Sequence, residues 1–174
     1  AASKSLAEER GACPDAEEYG IKERFSNKTA IAPTASISII CGGSSPGIEP
    51  IAANSYTHKT LSGSFNVRNK YLKKILSKYK KDTDDVWSSI TTNQGSVSHL
   101  DFLTAEEKDT FKTAFEIDQR WIVELGADRT PHISQAQSIN IFIPADIHKK
   151  DLHNLHFQAW KKGLKSLYYC RSKS

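Results

Sequence analysis

The sequence predicts an α/β fold in which helices alternate with short strands. Segments with apolar residues at helical spacing are separated by short runs rich in β-branched residues, and the two kinds interleave along the chain. The chain has 174 residues, 38% of them hydrophobic, which is enough to bury the core of one domain. We therefore expect a single domain over residues 1–174. Every apolar run is shorter than a membrane span, and a cytoplasmic location is expected.

In the first half of the chain, breaking residues separate the predicted elements. A polar helix is expected over residues 3–10, where it ends at the Gly-Ala-Cys-Pro sequence of residues 11–14. A second short helix is expected over residues 16–24. Residues 34–41 alternate and are β-branched, which by propensity favours a strand. The Gly- and Ser-rich residues 42–47 predict a loop after it.

From residue 66 onwards, three helices and two strands are expected. Apolar periodicity predicts helices over residues 66–81, 104–126 and 146–162. The expected inner face of the first carries Val67, Tyr71, Leu72, Ile75, Leu76 and Tyr79, and that of the last carries Leu152, Leu155, His156, Ala159 and Trp160. Thr104 and Glu107 have the spacing of a capping box, and Gly126 is placed to end the helix that they begin. The β-branched run 139–143 and the residues 164–170 predict strands.

The segment from Pro33 to Ser38 combines a proline with small and hydroxyl-bearing residues. If it opens a helix, its free backbone N–H groups and the helix dipole would attract a phosphate. If it forms a plain strand, as its propensity favours, the hydroxyls have no special role. From the residues alone both interpretations stay open.

Tyr168 and Tyr169 are adjacent. Neighbouring side chains point to opposite faces of a strand and lie about 100° apart on a helix, so adjacent tyrosines rarely share one packing role. One ring buried and one at the rim of an amphipathic strand is the ordinary explanation. A relay that passes an electron and a proton between the two phenols is the functional alternative.

Other candidate features point to no defined chemistry. Lysines cluster on one face of the predicted helix 66–81, which is typical of a solvated surface and compatible with a nucleic-acid patch. The net charge of +4 permits an anionic ligand without requiring one. Three widely spaced cysteines predict no disulfide framework, and the histidines near residues 148–156 lack metal-ligand spacing, so no metal site is expected.

Several short motifs, in a consistent order, resemble the large subunit of class I ribonucleotide reductase. They are LAEERGACP at 6–14, PTAS at 33–36, GIEP at 47–50, LSGSF at 61–65, QSINI at 137–141 and WKKGLKSLYY at 160–169. The resemblance implies a fold that is the C-terminal portion of a ten-stranded α/β barrel. Since the chain contains no methionine and starts within a predicted helix, we expect it to be a segment of something larger.

The resemblance assigns roles to two sets of residues. Tyr168 and Tyr169 match the stacked pair that carries the radical towards the active site. A second set matches the loop that binds the substrate diphosphate at the start of a helix, against the strand propensity of the same residues. Its members are Pro33, Thr34, Ala35, Ser36 and Ile37.

The resemblance also implies that several parts of the enzyme are supplied by polypeptide outside this chain. The thiyl-radical cysteine, the reducing cysteines and the sites for ATP and dNTP effectors belong to upstream sequence, so this segment should be inactive alone. The implied partners are the remainder of the large subunit, a metal-containing small subunit that generates the radical, a ribonucleoside diphosphate, and thioredoxin or glutaredoxin as reductant. The alternative is a non-catalytic module on a reductase-like scaffold that binds phosphate or nucleic acid.

Overall fold

The computed structural model of the chain describes residues 1–173, and Ser174 lies outside them. Helices and strands both occur, as expected for an α/β fold, but before residue 119 they come in runs rather than in strict alternation. Two short 3-10 helices occur at Ala114–Glu116 and Thr130–His132. The helices are α1 Ala2–Arg10, α2 Pro14–Glu18, α3 Ala35–Ile40, α4 Lys70–Lys78, α5 Asp84–Thr92, α6 Ala105–Thr110, α7 Gln119–Arg129 and α8 Lys149–Lys161. The strands are β1 Ser55–Thr60, β2 Gly63–Arg68, β3 Ile141–Ile143 and β4 Cys170–Ser172.

The strands form two small sheets. β1 and β2 pair antiparallel as a hairpin, with Ser55 opposite Arg68 and Thr60 opposite Gly63. β3 and β4 pair parallel, with Ile141 opposite Cys170. α8 connects β3 to β4, which is the crossover that parallel neighbours require. No helix within residues 1–173 has the length and apolar character to span a membrane.

The first core cluster packs α4 and α5 against residues 97–103 and Phe111. The periodicity of α4 correctly predicts its inner face, because Leu72 and Leu76 are fully buried. Tyr71, expected on the same face, is exposed instead. The buried members of the cluster are Leu72, Leu76, Trp87, Ile90, Val97, Leu100, Leu103 and Phe111.

The second core cluster joins β3 to α7 and α8. Its buried members are Val123, Ile141, Ile143, Leu155 and Ala159. The predicted inward positions of α8 are confirmed at Leu155 and Ala159 but wrong at His156 and Trp160, which are exposed. The all-apolar β3 is buried on both sides, as expected for a strand of a parallel sheet.

Several predicted boundaries are wrong because tertiary contacts override local periodicity. Residues 66–68 belong to β2, so the helix expected from residue 66 begins at Lys70, where the Asn69 side chain accepts from the N–H groups of Tyr71 and Leu72. The helix expected over 104–126 is two helices, α6 and α7, with a 3-10 helix between them. Gly126 lies buried inside α7 rather than at its end.

Two further expectations need correction near the ends of the fold. The helix predicted over residues 16–24 stops at Glu18, since Gly20 adopts a positive φ of 65°. The strand predicted over 164–170 starts only at Cys170, although residues 168 and 169 already hydrogen-bond to the segment before β3. The hairpin and α5 were not anticipated.

Candidate functional site

The segment of residues 33–37 turns into a helix, so the strand that its propensity favours is not formed. Thr34 is the N-cap of α3 and adopts a left-handed conformation, with φ 51° and ψ 32°. Its carbonyl accepts from the N–H of Ser38 at 2.9 Å, and its hydroxyl accepts from the N–H of Gly47 at 2.6 Å. The second bond joins the loop after α3 to the turn before it.

The first turn of α3 presents unpaired donors. Within residues 1–173, the backbone N–H groups of Ala35, Ser36 and Ile37 have no hydrogen-bond acceptor, and all three residues are exposed. The N–H groups at the start of a helix lack intrahelical partners and carry a partial positive charge. This turn can therefore bind an anionic oxygen from solvent.

A cleft of about 740 Å³ lies beside α3. Its walls come from the helix, the loop of residues 43–53, the junction of β2 with α4, and the parallel sheet. Among the predicted phosphate-loop residues only Ala35 lines it, whereas Ser38 and Ile39 of the same helix also do. Arg68, Lys70 and Arg171 contribute cationic side chains, so the cleft suits a ligand with both apolar and anionic parts.

The two adjacent tyrosines are in direct contact. The ring centroids of Tyr168 and Tyr169 lie 4.2 Å apart with their planes tilted by 56°. Both rings are about half exposed. Hydrogen bonding with the Tyr169 phenol, then the charge of that phenol, raises the pKa of Tyr168, and Arg171 partly opposes the rise. The shift favours the protonated form of the Tyr168 phenol.

Arg171 connects the tyrosine pair to the cleft. Its guanidinium lies over the Tyr169 ring, 5.5 Å from the centroid, and the same side chain lines the cleft. Arg171 follows Tyr169 by two positions, so a strand would place both side chains on the same face. Nothing in the sequence indicates that Arg171 also lines a cleft formed mostly by residues about 100 positions earlier in the chain.

Two polar residues beneath the tyrosines had no predicted role. Asn140 is buried, and its side-chain oxygen accepts from the N–H of Tyr169 at 3.0 Å. Its amide nitrogen donates to Glu49 at 2.6 Å. Both lie in motifs that carry the family resemblance, QSINI and GIEP, so the motifs marked their positions without assigning the contact.

The remaining candidates stay apart from this arrangement. Lys73, Lys74 and Lys78 are exposed on α4 and do not line the cleft, whereas Lys70 lines it and its amino group donates to the carbonyl of Gly42. In the part of the chain that the structure describes, no three His, Cys, Asp or Glu side chains are grouped to hold a metal ion.

Comparisons with known proteins cover almost the whole chain. The family described as "Ribonucleotide reductase, barrel domain" matches residues 4–170. The large subunit of ribonucleoside-diphosphate reductase of Invertebrate iridescent virus 6 is 52% identical over 167 residues, which cover 94% of this chain and 17% of the relative. The corresponding protein of Caenorhabditis elegans is 37% identical over 151 residues, covering 86% of this chain and 19% of the relative.

A solved structure has the same fold. The alpha subunit of the class Id ribonucleotide reductase of Actinobacillus ureae superposes with a TM-score of 0.84 at 39% identity, over 99% of this chain and 31% of that subunit. The chain thus has an α/β barrel-type fold, of which the two sheets described above are parts. It spans less than a third of the length of each of these proteins.

Proposed function

Because the chain belongs to the ribonucleotide reductase barrel-domain family, we propose that it serves as a segment of the large subunit of a ribonucleoside-diphosphate reductase. That reaction replaces the 2′-hydroxyl of a ribonucleoside diphosphate with hydrogen. A dithiol is oxidised to a disulfide, and the hydroxyl leaves as water. Residues 1–174 contribute part of the barrel domain, and the segment alone is inactive.

The observation that carries the proposal is the contact between the Tyr168 and Tyr169 rings. A tyrosyl radical takes a hydrogen atom from a neighbouring phenol, so one radical is quenched as the next forms and no charge accumulates. This exchange needs phenols in contact and protonated. The 4.2 Å separation of the centroids satisfies the condition of contact, and the raised pKa of Tyr168 favours the protonated form of that phenol.

The second proposed role belongs to the turn of Pro33, Thr34, Ala35, Ser36 and Ile37. Its unpaired N–H groups bind the diphosphate of the substrate, and the cleft beside α3 receives the rest of the nucleotide. Support comes from the exposure of this turn and from the left-handed Thr34 that aims it at solvent.

The proposed partners follow from the reaction. The remainder of the large subunit supplies the cysteines, and a metal-containing small subunit supplies the radical that enters through the tyrosine pair. Thioredoxin or glutaredoxin restores the dithiol, and ATP and dNTP effectors bind outside this segment. The assembly works in the cytoplasm.

Grafting tests the relay. The chain replaces the matching segment of the Invertebrate iridescent virus 6 large subunit, and the graft is assayed with its small subunit and a dithiol. We expect turnover, with Tyr168→Phe and Tyr169→Phe reducing it to background because phenylalanine has no hydroxyl hydrogen to give. Tyr19→Phe, at an exposed position on the opposite half of the chain, is the control. Full turnover in either relay variant would refute the proposed role.

The phosphate turn is tested by charge. In Ser36→Asp the new carboxylate lies in the first turn of α3, where the helix dipole stabilises a negative charge. The same carboxylate would repel a bound diphosphate. We expect the KM of the graft to rise about tenfold or more, with no loss of stability, while the neutral Ser36→Asn keeps the KM near wild type. An unchanged KM in Ser36→Asp would place the diphosphate elsewhere.

The lysine face of α4 defines the competing function. If the chain is a nucleic-acid module, its affinity for DNA or RNA falls steeply as the salt concentration rises. The triple variant Lys73→Gln, Lys74→Gln and Lys78→Gln should lower that affinity as well. Such binding, with a graft that shows no turnover, would replace the reductase proposal.

A further inference from the structure

The parallel pairing next to β3 is displaced by one residue at the tyrosines. In a regular parallel ladder the residue whose carbonyl accepts from Ile141 also donates its own N–H to the carbonyl of Ile139. Tyr169 accepts from Ile141 at 2.9 Å, but the bond to Ile139 comes from the N–H of Tyr168, at 2.8 Å. Two tyrosines thus occupy the ladder position of one residue, as in a β-bulge.

This displacement is what allows the adjacent rings to touch. Along a regular strand, consecutive side chains point to opposite faces. A centroid separation of 4.2 Å between consecutive residues is incompatible with that alternation. The bulge turns both rings towards one side, and it begins immediately before the regular pairing of β4 resumes at Cys170.

The bulge leaves one backbone donor without its ladder partner. Since Ile139 already accepts from Tyr168, the N–H of Tyr169 has no backbone acceptor, and an unpaired donor in the interior is costly. The side-chain oxygen of Asn140 takes that place at 3.0 Å. Asn140 is only 3% exposed, so water does not readily substitute for it.

Glu49 sets the orientation of the Asn140 amide. The Asn140 nitrogen donates to the Glu49 carboxylate at 2.6 Å, a charge-assisted bond that forces the amide oxygen towards Tyr169. Glu49 lies on the loop after α3 and lines the cleft. A continuous path of hydrogen bonds therefore runs from the cleft wall to the backbone of the tyrosine pair.

From these contacts we infer that Asn140, oriented by Glu49, is a positioning residue that holds the Tyr168–Tyr169 stack by capping the bulge. Neither side chain exchanges a proton or electron with the rings. Their effect on turnover is exerted through the ring geometry, and that part of the inference rests on the proposed relay function.

A reciprocal exchange tests the pair in the grafted large subunit. Asn140→Asp keeps an oxygen for the Tyr169 N–H but sets a carboxylate against Glu49, so we expect kcat to fall about tenfold with the KM unchanged. Glu49→Gln keeps an acceptor for Asn140, so the separation of the Tyr168 and Tyr169 rings should stay that of wild type. Because Glu49 also lines the cleft, the kcat of this single variant is the reference for the double variant.

The double variant Asn140→Asp with Glu49→Gln re-forms the path with the roles reversed, since the new amide donates to the new carboxylate. We expect kcat to return to within about threefold of the Glu49→Gln value. A merely structural defect at Asn140 would not be repaired by a second change at Glu49. Wild-type kcat in Asn140→Asp, or a double variant no better than that single variant, would overturn the inference.

A crystal structure of the grafted wild type and its Asn140→Asp variant separates this inference from the relay proposal. We expect the ring centroids to move apart in the variant while the β3–β4 pairing persists. An unchanged separation overturns the positioning role even if the graft turns over normally. Absence of turnover in the wild-type graft refutes the relay proposal, and the ring separation still decides the role of Asn140.

Discussion

The hydroxyl of Thr34 accepts a hydrogen bond from the backbone N–H of Gly47 at 2.6 Å, and both residues have left-handed backbones, with φ of 51° and 56°. A β-branched residue is strained in that region by roughly 1–2 kcal/mol. The Thr34 bond offsets part of the strain by tying the loop after α3 to the turn that starts the helix.

Removing this hydroxyl should loosen the turn. Thr34→Val keeps the shape of the side chain but leaves the Gly47 N–H without its partner. We therefore expect the free energy of unfolding to fall by about 1 kcal/mol, as measured by urea unfolding. In the grafted large subunit the KM for the diphosphate substrate should rise as well. Thr34→Ser retains the hydroxyl and lacks the strained β-branch, so it should be at least as stable as wild type and keep the wild-type KM. Equal values for Val and Ser would show that the bond does not hold the turn.

Asn54 ties the hairpin to three other parts of the first core, and its loss should be severe. Its amide nitrogen donates to the carbonyls of Gly95 at 3.0 Å and Phe111 at 2.7 Å, while its oxygen accepts from Asn69 at 2.9 Å. Since Asn54 is 1% exposed, Asn54→Ala leaves the Phe111 carbonyl unpaired in the interior and removes the side-chain bonds to Gly95 and Asn69. The Gly95 carbonyl keeps its bond from the backbone N–H of residue 54. We expect a loss on the order of 3 kcal/mol in the free energy of unfolding.

The matched control for Asn54 is Asn93, whose amide makes one bond, to Ser89, at the surface. Asn93→Ala should cost less than about 1 kcal/mol. Similar losses in the two variants would contradict the special role of the buried amide.

The Glu107 carboxylate makes stability depend on pH in the acid range. Hydrogen bonding to the Thr104 N–H, helped by the Tyr79 hydroxyl, holds the pKa of Glu107 below its ordinary value. Its contribution is present above the unfolded pKa of about 4.3 and is lost as pH falls through the lower folded pKa. Glu107→Gln does not titrate, so wild type should lose more stability than this variant between about pH 5 and pH 3.

Urea unfolding midpoints across that range measure the difference. Tyr79→Phe removes one of the two donors and should give a pH dependence between those of wild type and Glu107→Gln. Parallel profiles for wild type and Glu107→Gln would exclude the carboxylate as the titrating group.

Arg171 partly offsets the raised pKa of Tyr168. The pKa of Tyr168 is raised by hydrogen bonding with Tyr169 and by its charge, and the Arg171 cation lowers it in part. Arg171→Gln removes the lowering contribution, so the pKa of Tyr168 should rise further, as measured by NMR titration of ring-labelled tyrosine. Arg171→Lys keeps the charge and should stay closer to wild type. A fall in the pKa with Gln would contradict this account.

Features set by neighbours in the chain were predictable. The apolar spacing of α4 places Leu72 and Leu76 in the core, and the capping box of Thr104 and Glu107 forms as expected. The helix that follows it breaks after Thr110 because periodicity counts apolar positions without knowing where the chain must turn. The family resemblance correctly placed a helix start at residues 34–35, against the local strand propensity.

What depends on distant contacts could not be derived from the residues alone. The α3 helix is begun by a strained Thr34 that Gly47 holds from 13 residues away. Trp160 has helical spacing yet is 72% exposed, because β3 and α7 meet only the face of α8 that carries Leu155 and Ala159.

The sequence by itself determined the α/β class, the amphipathic face of α4, and the adjacency of Tyr168 and Tyr169, since each follows from the order and spacing of neighbouring residues. Only the tertiary structure decided that the two rings touch. Their contact requires a ladder displaced by one residue and an N–H capped by Asn140, whose amide is oriented by Glu49, 91 positions away in the chain. The spacing of neighbouring residues carries no information about the contact between Glu49 and Asn140. That contact stabilises the fold only once these distant segments have come together.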